Sequence, residues 1–473
     1  MTLFINLVSI FFLVIRYLYF KDYFISALGL AFTFWVFLRF IDALGRRFPL
    51  KELILLIASS QWILGAKIAY LQGMVHHRYY MYVEEEAYMN FVVIASLLFA
   101  AGLFLIKIPI NFKALWFKDQ FDKQKALKHA SIILFIGLLS LGIQNLITIP
   151  GLGFVLYLLN LLIYVSAAYF MVIYPDKRYV TYFLVVLYAL IKSLLIALFH
   201  ELFLVGALLL FFLFSADTKF VSKLLFIVIS GTFIFAIQTV KKDYRTFAWS
   251  GVNKADSGEV LYELLLNEFA NTSSSNANYL NQQEGEVARN AEVNNRLNQG
   301  WIISRTMSNI PKNKSYLFGE SIVKSIEASV LPRLLAPNKA GGECAIELFQ
   351  EVTGLKLNKN TSMGLSVVGE FYANYGVFGG IIAMFIYGLT LAMVIKFVCL
   401  RGGGGSPLIF CWFVMFFFQT VKAENNFITV FNHLVKALVI FYILKLILYQ
   451  YGIDLFNSLK SKANLSAPII FVS

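Results

Sequence analysis

Apolar residues in this chain come in long unbroken runs, not in the alternations or narrow stripes of a water-soluble fold. The runs fall near 2–20, 23–41, 50–71, 90–107, 131–149, 151–174, 179–199, 201–216, 221–240, 376–399, 407–421 and 429–450. Each approaches the roughly 20 residues that carry a helix across a hydrocarbon core. The pattern predicts twelve transmembrane helices, with 201–216 short enough to be tilted or partly re-entrant. Between the ninth and tenth runs lies a polar stretch, 241–370. Within it, 258–270 has apolar positions at helical spacing, and 271–282 reads as a polar linker. Residues 286–309 read as a helix ended by Pro311, and Gly319 to Leu331 as a third helix stopped by Pro332. The expected fold class is an all-α polytopic membrane protein of about 12 transmembrane helices. A large helical extracytoplasmic loop domain sits between helices 9 and 10. Three parts follow: 1–240 with helices 1–9, 241–370 as the loop domain, and 371–473 with helices 10–12 and a cytoplasmic C-terminus.

Composition supports the membrane reading. Hydrophobic residues make up 59% and charged residues 14% of the chain, against about 45–50% and about 25% in soluble proteins. Forty-seven phenylalanines outnumber 27 acidic residues, an apolar surface that a water-exposed globule could not hide. The first run has no basic segment before it, and Arg16 interrupts its end, so it is not expected to be a cleaved signal peptide.

The formal charge of +13 raises nucleic acid as a partner, but its placement argues against that. Arg46, Arg47 and Lys51 follow the second run, and Lys107, Lys113, Lys118, Lys123, Lys125 and Lys128 follow the fourth. Lys177 and Arg178, Lys219 and Lys223, Arg401, and Lys460 and Lys462 follow the sixth, eighth, tenth and twelfth. Basic residues collect in cytoplasmic loops, so both termini are expected inside and 241–370 outside. That outer stretch carries 14 Lys/Arg and 14 Asp/Glu, a net charge of zero. Four basic residues break the pattern: Arg16, Lys21, Arg78 and Lys422.

Three cysteines give no disulfide framework or zinc site, and no phosphate-binding loop or dinucleotide fingerprint is present. The five histidines are scattered apart from the adjacent His76 and His77. No metal and no cofactor are expected. Candidate chemistry falls in three places. Residues 296–339 carry Arg296, Arg305, Arg333 and Lys339; an arginine fork matches phosphate oxygens, although for any single arginine a solvated charge or a partner for the acids is the plainer account. Glu370, Tyr372 and Asn374 stand where the tenth run begins. Glu370 and Asn374 share a helix face, as a base with its neighbours or as a plain helix start with interfacial aromatics. His200 and Glu201 interrupt an apolar stretch, either as a turn or as a polar pair held at depth, where ionisable groups usually have a function.

Together these segments resemble the O-antigen polymerase family. The residues that carry the resemblance are Arg296-Leu297-Asn298, Pro311, Tyr316, Gly319, Pro332-Arg333, Pro337, Lys339, Gly369-Glu370, Tyr372, Asn374 and Gly376. The resemblance implies a metal-independent glycosyltransferase of GT-C architecture in the bacterial inner membrane, with its active site facing the periplasm. It implies a donor glycan on undecaprenyl diphosphate, a second lipid-linked repeat unit as acceptor, and a chain-length regulator as a candidate partner. Glu370, His200 and Arg333 would be catalytic, and Arg296, Arg305, Lys339, Tyr372 and Asn374 would bind substrate. An O-antigen ligase-like transferase and a lipid-linked oligosaccharide flippase are the alternatives. A flippase should show paired broken helices and repeat symmetry, and the sequence shows neither.

Overall fold

The computed structural model describes residues 1–73, 79–116, 122–147, 152–249, 260–266, 298–330, 343–357 and 363–456. Among these residues there are helices and no strands. The first eleven helices are α1 Thr2–Leu18, α2 Phe24–Ala43, α3 Leu50–Ser59, α4 Gly65–Gln72, α5 Glu85–Leu105, α6 Lys123–Leu146, α7 Gly153–Asn160, α8 Leu162–Ile173, α9 Arg178–Ile196, α10 His200–Leu213 and α11 Phe220–Trp249. Three short helices, α12 Gly300–Asn309, α13 Glu320–Val330 and α14 Glu343–Thr353, precede α15 Val367–Phe397, α16 Ile409–Phe416 and α17 Phe427–Gln450. Nine helical units among the described residues are long and apolar enough to cross a membrane. They are α2, α3 with α4, α5, α6, α7 with α8, α9, α11, α15 and α17, and α1 and α10 are shorter apolar helices. The chain is a helical membrane protein.

Three of the expected segments take a different form. α3 and α4 are one rod interrupted by a π turn, Ser60–Leu64. The run at 407–421 yields only the eight-residue α16, every residue of which is buried. α15 starts nine residues before its apolar run and breaks at Gly376, where φ is +68°. The buried residues from Val367 to Asn374 therefore form a short separate piece leading into the long helix.

Aromatic side chains build the main core. The Phe48 ring lies within 4.5–5.5 Å of Phe410, Phe413, Phe211 and Phe112, joining loop, α10 and α16. Trp412 donates its indole N–H to the Tyr169 hydroxyl at 3.1 Å, so the buried α16 is tied to α8. α5 and α15 lie side by side. They meet at Gly102 and Gly388, where any side chain would strike the backbone of the opposite helix. Small residues allow this close approach in apolar surroundings. A second, separate apolar cluster joins Ala189 of α9, Phe199 and Leu202, and Ile237, Val240 and Tyr244 of α11 with Leu261.

At one end of the bundle, lysines satisfy helix C-terminal carbonyls. Lys51 donates to the Ile106 carbonyl after α5, Lys223 to the Leu44 carbonyl after α2, and Lys445 to the Gly402 carbonyl beyond α15, at 2.6–2.7 Å. A cation there meets both the orphan carbonyls and the negative end of the helix dipole. At the opposite end of α2, Arg16 pairs with Asp22 at 2.5 Å, and Lys67 bridges Asp22 and Glu85 at 3.0 and 2.7 Å.

Candidate functional site

Where α11 runs out and α15 begins, the helices part around a polar cavity of about 790 Å3. The π turn supplies Gln61 and the loop before α5 supplies Tyr79. α10 supplies His200 and Phe203, and α11 supplies Gln238, Lys241 and Arg245. Gln299 and Trp301 come from the start of α12, Gly364 from the segment before α15, and Lys422, Glu424 and Asn425 from the turn between α16 and α17. Three cations and a histidine face one carboxylate, an arrangement that attracts anions.

Local structure aims these groups. Ile234, Gln238, Lys241 and Arg245 are spaced by four, three and four residues, which puts them on one face of α11,. His200 opens α10 after a turn in which Ala197 has φ +58°. α11 holds that turn: the Tyr244 hydroxyl donates to the Leu194 carbonyl at 2.8 Å, and Arg245 Nε to the Ala197 carbonyl at 3.0 Å. The next residue, Glu201, accepts from the Tyr164 hydroxyl and from Lys192, both at 2.6 Å. The turn at 197–199 is present, and the two members of the polar pair serve different neighbours. Lys422, Lys241, Glu201 and Glu424 are the charges that act on the His200 ring.

The turn bearing Lys422 is clamped from several directions. Trp62 donates its indole N–H to the Ala423 carbonyl at 3.2 Å. The Leu365 amide donates to Asn426 Oδ1 at 2.6 Å, and the Ser366 amide to the Glu424 carbonyl at 3.3 Å. Gly364 passes so close to that carbonyl that a Cβ would collide with it. Lys422 and Glu424 pair at 3.4 Å, so the lysine that broke the charge pattern is a cavity residue beside its own counter-ion.

Of the expected site residues, the structure brings His200 to the cavity. Glu370 is fully buried elsewhere. Its Oε1 accepts from the Ser321 hydroxyl at 2.7 Å and its Oε2 from the Phe427 amide at 2.8 Å. Asn374 accepts from the Gly319 amide at 2.9 Å and donates to Ser321 Oγ and the Glu370 carbonyl, both at 2.8 Å. Tyr372 donates its hydroxyl to the Ile310 carbonyl at 3.2 Å. These residues come together as a joint between the start of α15, the 310–321 segment and α17. Arg305 donates to the Thr353 carbonyl at 2.8 Å and stacks over Tyr82 at 4.8 Å. Arg296, Arg333 and Lys339 lie outside the described residues. Sequence reasoning missed Lys241, Arg245 and Glu424 altogether.

The described residues line two further spaces. An apolar groove of about 400 Å3 between α15 and α17 is lined by Phe371, Ile382, Ile386, Tyr387, Val430 and Phe431 among others. A small void between it and the polar cavity is lined by Tyr387, Val430 and Lys422. Among the described residues no three His, Cys, Asp or Glu side chains gather as metal ligands.

No curated protein matches this chain, and no solved structure does. The model of one family, described as a domain of unknown function (DUF8712), matches residues 110–454. That match covers well over half of the sequence and most of the cavity residues, and the chain belongs to that family.

Proposed function

We propose that this protein is a metal-independent glycosyltransferase of the O-antigen polymerase type. It moves a glycan from undecaprenyl diphosphate to a second lipid-linked repeat unit. Its setting is the outer face of a bacterial inner membrane, with twelve spans and the 241–370 segment on the periplasmic side. The observation that carries this reading is the cavity of about 790 Å3 lined by Lys241, Arg245, Lys422 and His200. The apolar groove between α15 and α17 suits a prenyl chain. In the reaction, the acceptor hydroxyl attacks the anomeric carbon and the bond to the diphosphate oxygen breaks. The diphosphate leaves with the bonding electrons, and the hydroxyl proton passes to His200. Negative charge grows on the leaving group, and preorganised cations around it stabilise that charge. Arg296, Arg333 and Lys339 belong to the same proposal as further cations from the loop segment.

Mutagenesis tests this directly. Lys241→Ala, Lys422→Ala and Arg245→Lys should each lower chain formation by about 100- to 1,000-fold, the loss on removing one donor aimed at developing charge. Arg→Lys belongs in the set because it keeps charge and loses the two-pronged geometry. Protein levels in the membrane should stay constant while single repeat units accumulate on lipid. Chains of normal length in all three variants would end the reading. Accumulation of full-length chains unattached to lipid A core would mark a ligase instead. Activity lost in chelator and restored by magnesium would exclude the metal-independent mechanism.

A further inference from the structure

Near the end of α2 one arginine is left without an acceptor. Arg39 is half-buried and stands four residues before the end of a spanning helix, about 6 Å inside it at ~1.5 Å per residue,. Its guanidinium lies over the Trp35 ring at 5.5 Å. Its Nε is buried; its two outer nitrogens are not, and they meet no acceptor among the described residues. The neighbouring carboxylates are engaged elsewhere: Arg46 pairs with Asp42 at 2.6 Å and Arg47 with Glu52 at 3.1 Å. Asp42 and Glu52 are covered, with side chains 9% and 4% exposed, while Arg46 and Arg47 are 43% and 39% exposed. The surface therefore presents guanidinium and not carboxylate. Lys51 and Lys223, which donate to carbonyls, add two further positive charges close by.

A cation without a partner at the edge of an apolar layer is costly, and an anion that comes with that layer relieves it. α1 supplies the apolar half of the site. Trp35 donates its indole N–H to Asn6 Oδ1 at 2.9 Å, which sets the first turns of α1 beside this part of α2. Leu3, Phe4 and Leu7 in those turns are exposed. We propose that Arg39, with Arg47 beside it, binds the phosphate of an anionic phospholipid whose acyl chains lie along the exposed apolar face of α1. A guanidinium fork matches two phosphate oxygens. A long basic side chain near a helix end carries its charge out to the headgroup layer, and basic pockets between spanning helices take acidic headgroups. A soluble phosphate offers the same anion but nothing to cover the α1 face. This lipid site does not depend on the glycan reaction.

The test uses the full chain in nanodiscs of phosphatidylcholine, pure or doped with phosphatidylglycerol of the same acyl chains. Salt is held at about 0.15 M, where exposed charges act over only about 8 Å, and the lipid retained by the protein is read by native mass spectrometry. The wild type should retain phosphatidylglycerol over phosphatidylcholine by about tenfold, the factor that one charge-assisted hydrogen bond supplies. Arg39→Leu should erase that preference. Lys125→Ala removes an equal charge from an exposed position on α6 and should keep it. Inorganic phosphate in the buffer should not displace the lipid. In pure phosphatidylcholine, Arg39→Leu and the wild type should unfold at the same midpoint, because no protein group accepts from Arg39. No preference in the wild type, or a preference that survives Arg39→Leu, overturns the site. An equal loss in Lys125→Ala overturns it in favour of diffuse attraction to the basic surface, and displacement by inorganic phosphate in favour of a soluble anion. A lower midpoint for Arg39→Leu in pure phosphatidylcholine overturns it as well, since the arginine would then be held by the protein itself.

Discussion

Glu370 shows how far a residue type in a suggestive neighbourhood can be followed. A carboxylate, a phenol and an amide within five residues read as a site, and the structure does cluster them, together with Gly319 and Tyr316. What spacing could not convey is which way the cluster faces. Both carboxylate oxygens are engaged by Ser321 and Phe427, so Glu370 holds the N-terminus of α17, and through it the turn that carries Lys422. Glu370→Ala should leave two buried donors unanswered, at about 1–3 kcal/mol each. The unfolding midpoint of purified protein should fall clearly. Glu370→Gln keeps one acceptor oxygen and should fall less. If Glu370→Gln instead abolishes chain formation at an unchanged midpoint, the carboxylate acts in the chemistry.

Helices were legible from the sequence wherever an apolar run decides the matter, because burial in lipid demands length and little else. The runs at 50–71 and 151–174 correspond to Leu50–Gln72 and Gly153–Ile173. Interruptions were not legible: neither the π turn at Ser60–Leu64 nor the break at Gly376, which lies against Tyr316, follows from the apolar pattern. The cavity was hidden for a related reason. Its polar groups come from segments between Gln61 and Asn425, and no local motif joins them. Two signals did point there, His200 breaking an apolar stretch and Lys422 violating the charge asymmetry. The helix pair that sets His200 can be tested by Lys192→Met, which leaves Glu201 its Tyr164 hydrogen bond and removes the cation beside it. Both side chains are partly exposed, at 24% and 15%. The loss should therefore lie between the ~1 kcal/mol of an exposed pair and the ~3–5 kcal/mol of a buried one. Adding Glu201→Gln should restore part of it, and a double variant no more stable than the single one would show that the pair is not what ties α9 to α10.

For the whole molecule, orientation is the first quantity to measure, and a native residue serves. Cys399 and Cys411 are buried, while Cys344 in α14 is only partly so. Burial pushes the Cys344 thiol up, and the Glu347 carboxylate adds to the shift. Its thiolate is therefore scarce at neutral pH, and labelling should quicken as pH rises beyond the ordinary thiol range. A membrane-impermeant maleimide should modify Cys344 in right-side-out vesicles and not in inverted ones. The reverse result would turn the molecule over and remove the periplasmic setting of the proposed reaction.

Both apolar clusters reach the wall of the polar cavity. Phe203 comes from the smaller one and Leu204, Trp301 and Ile302 from the main core, so α10 belongs to both. A ligand in the cavity is then a structural member as well as a reactant, touching α10, α11 and α12 at once. Opening of α11 would be governed by occupancy, since whatever binds the closed form adds its binding free energy to that form. Amide exchange along 237–249 should slow when a diphosphate lipid is added, while exchange in α5 and α15, locked at Gly102 and Gly388, stays as it was. Release of product would be the moment at which α11 loses that support.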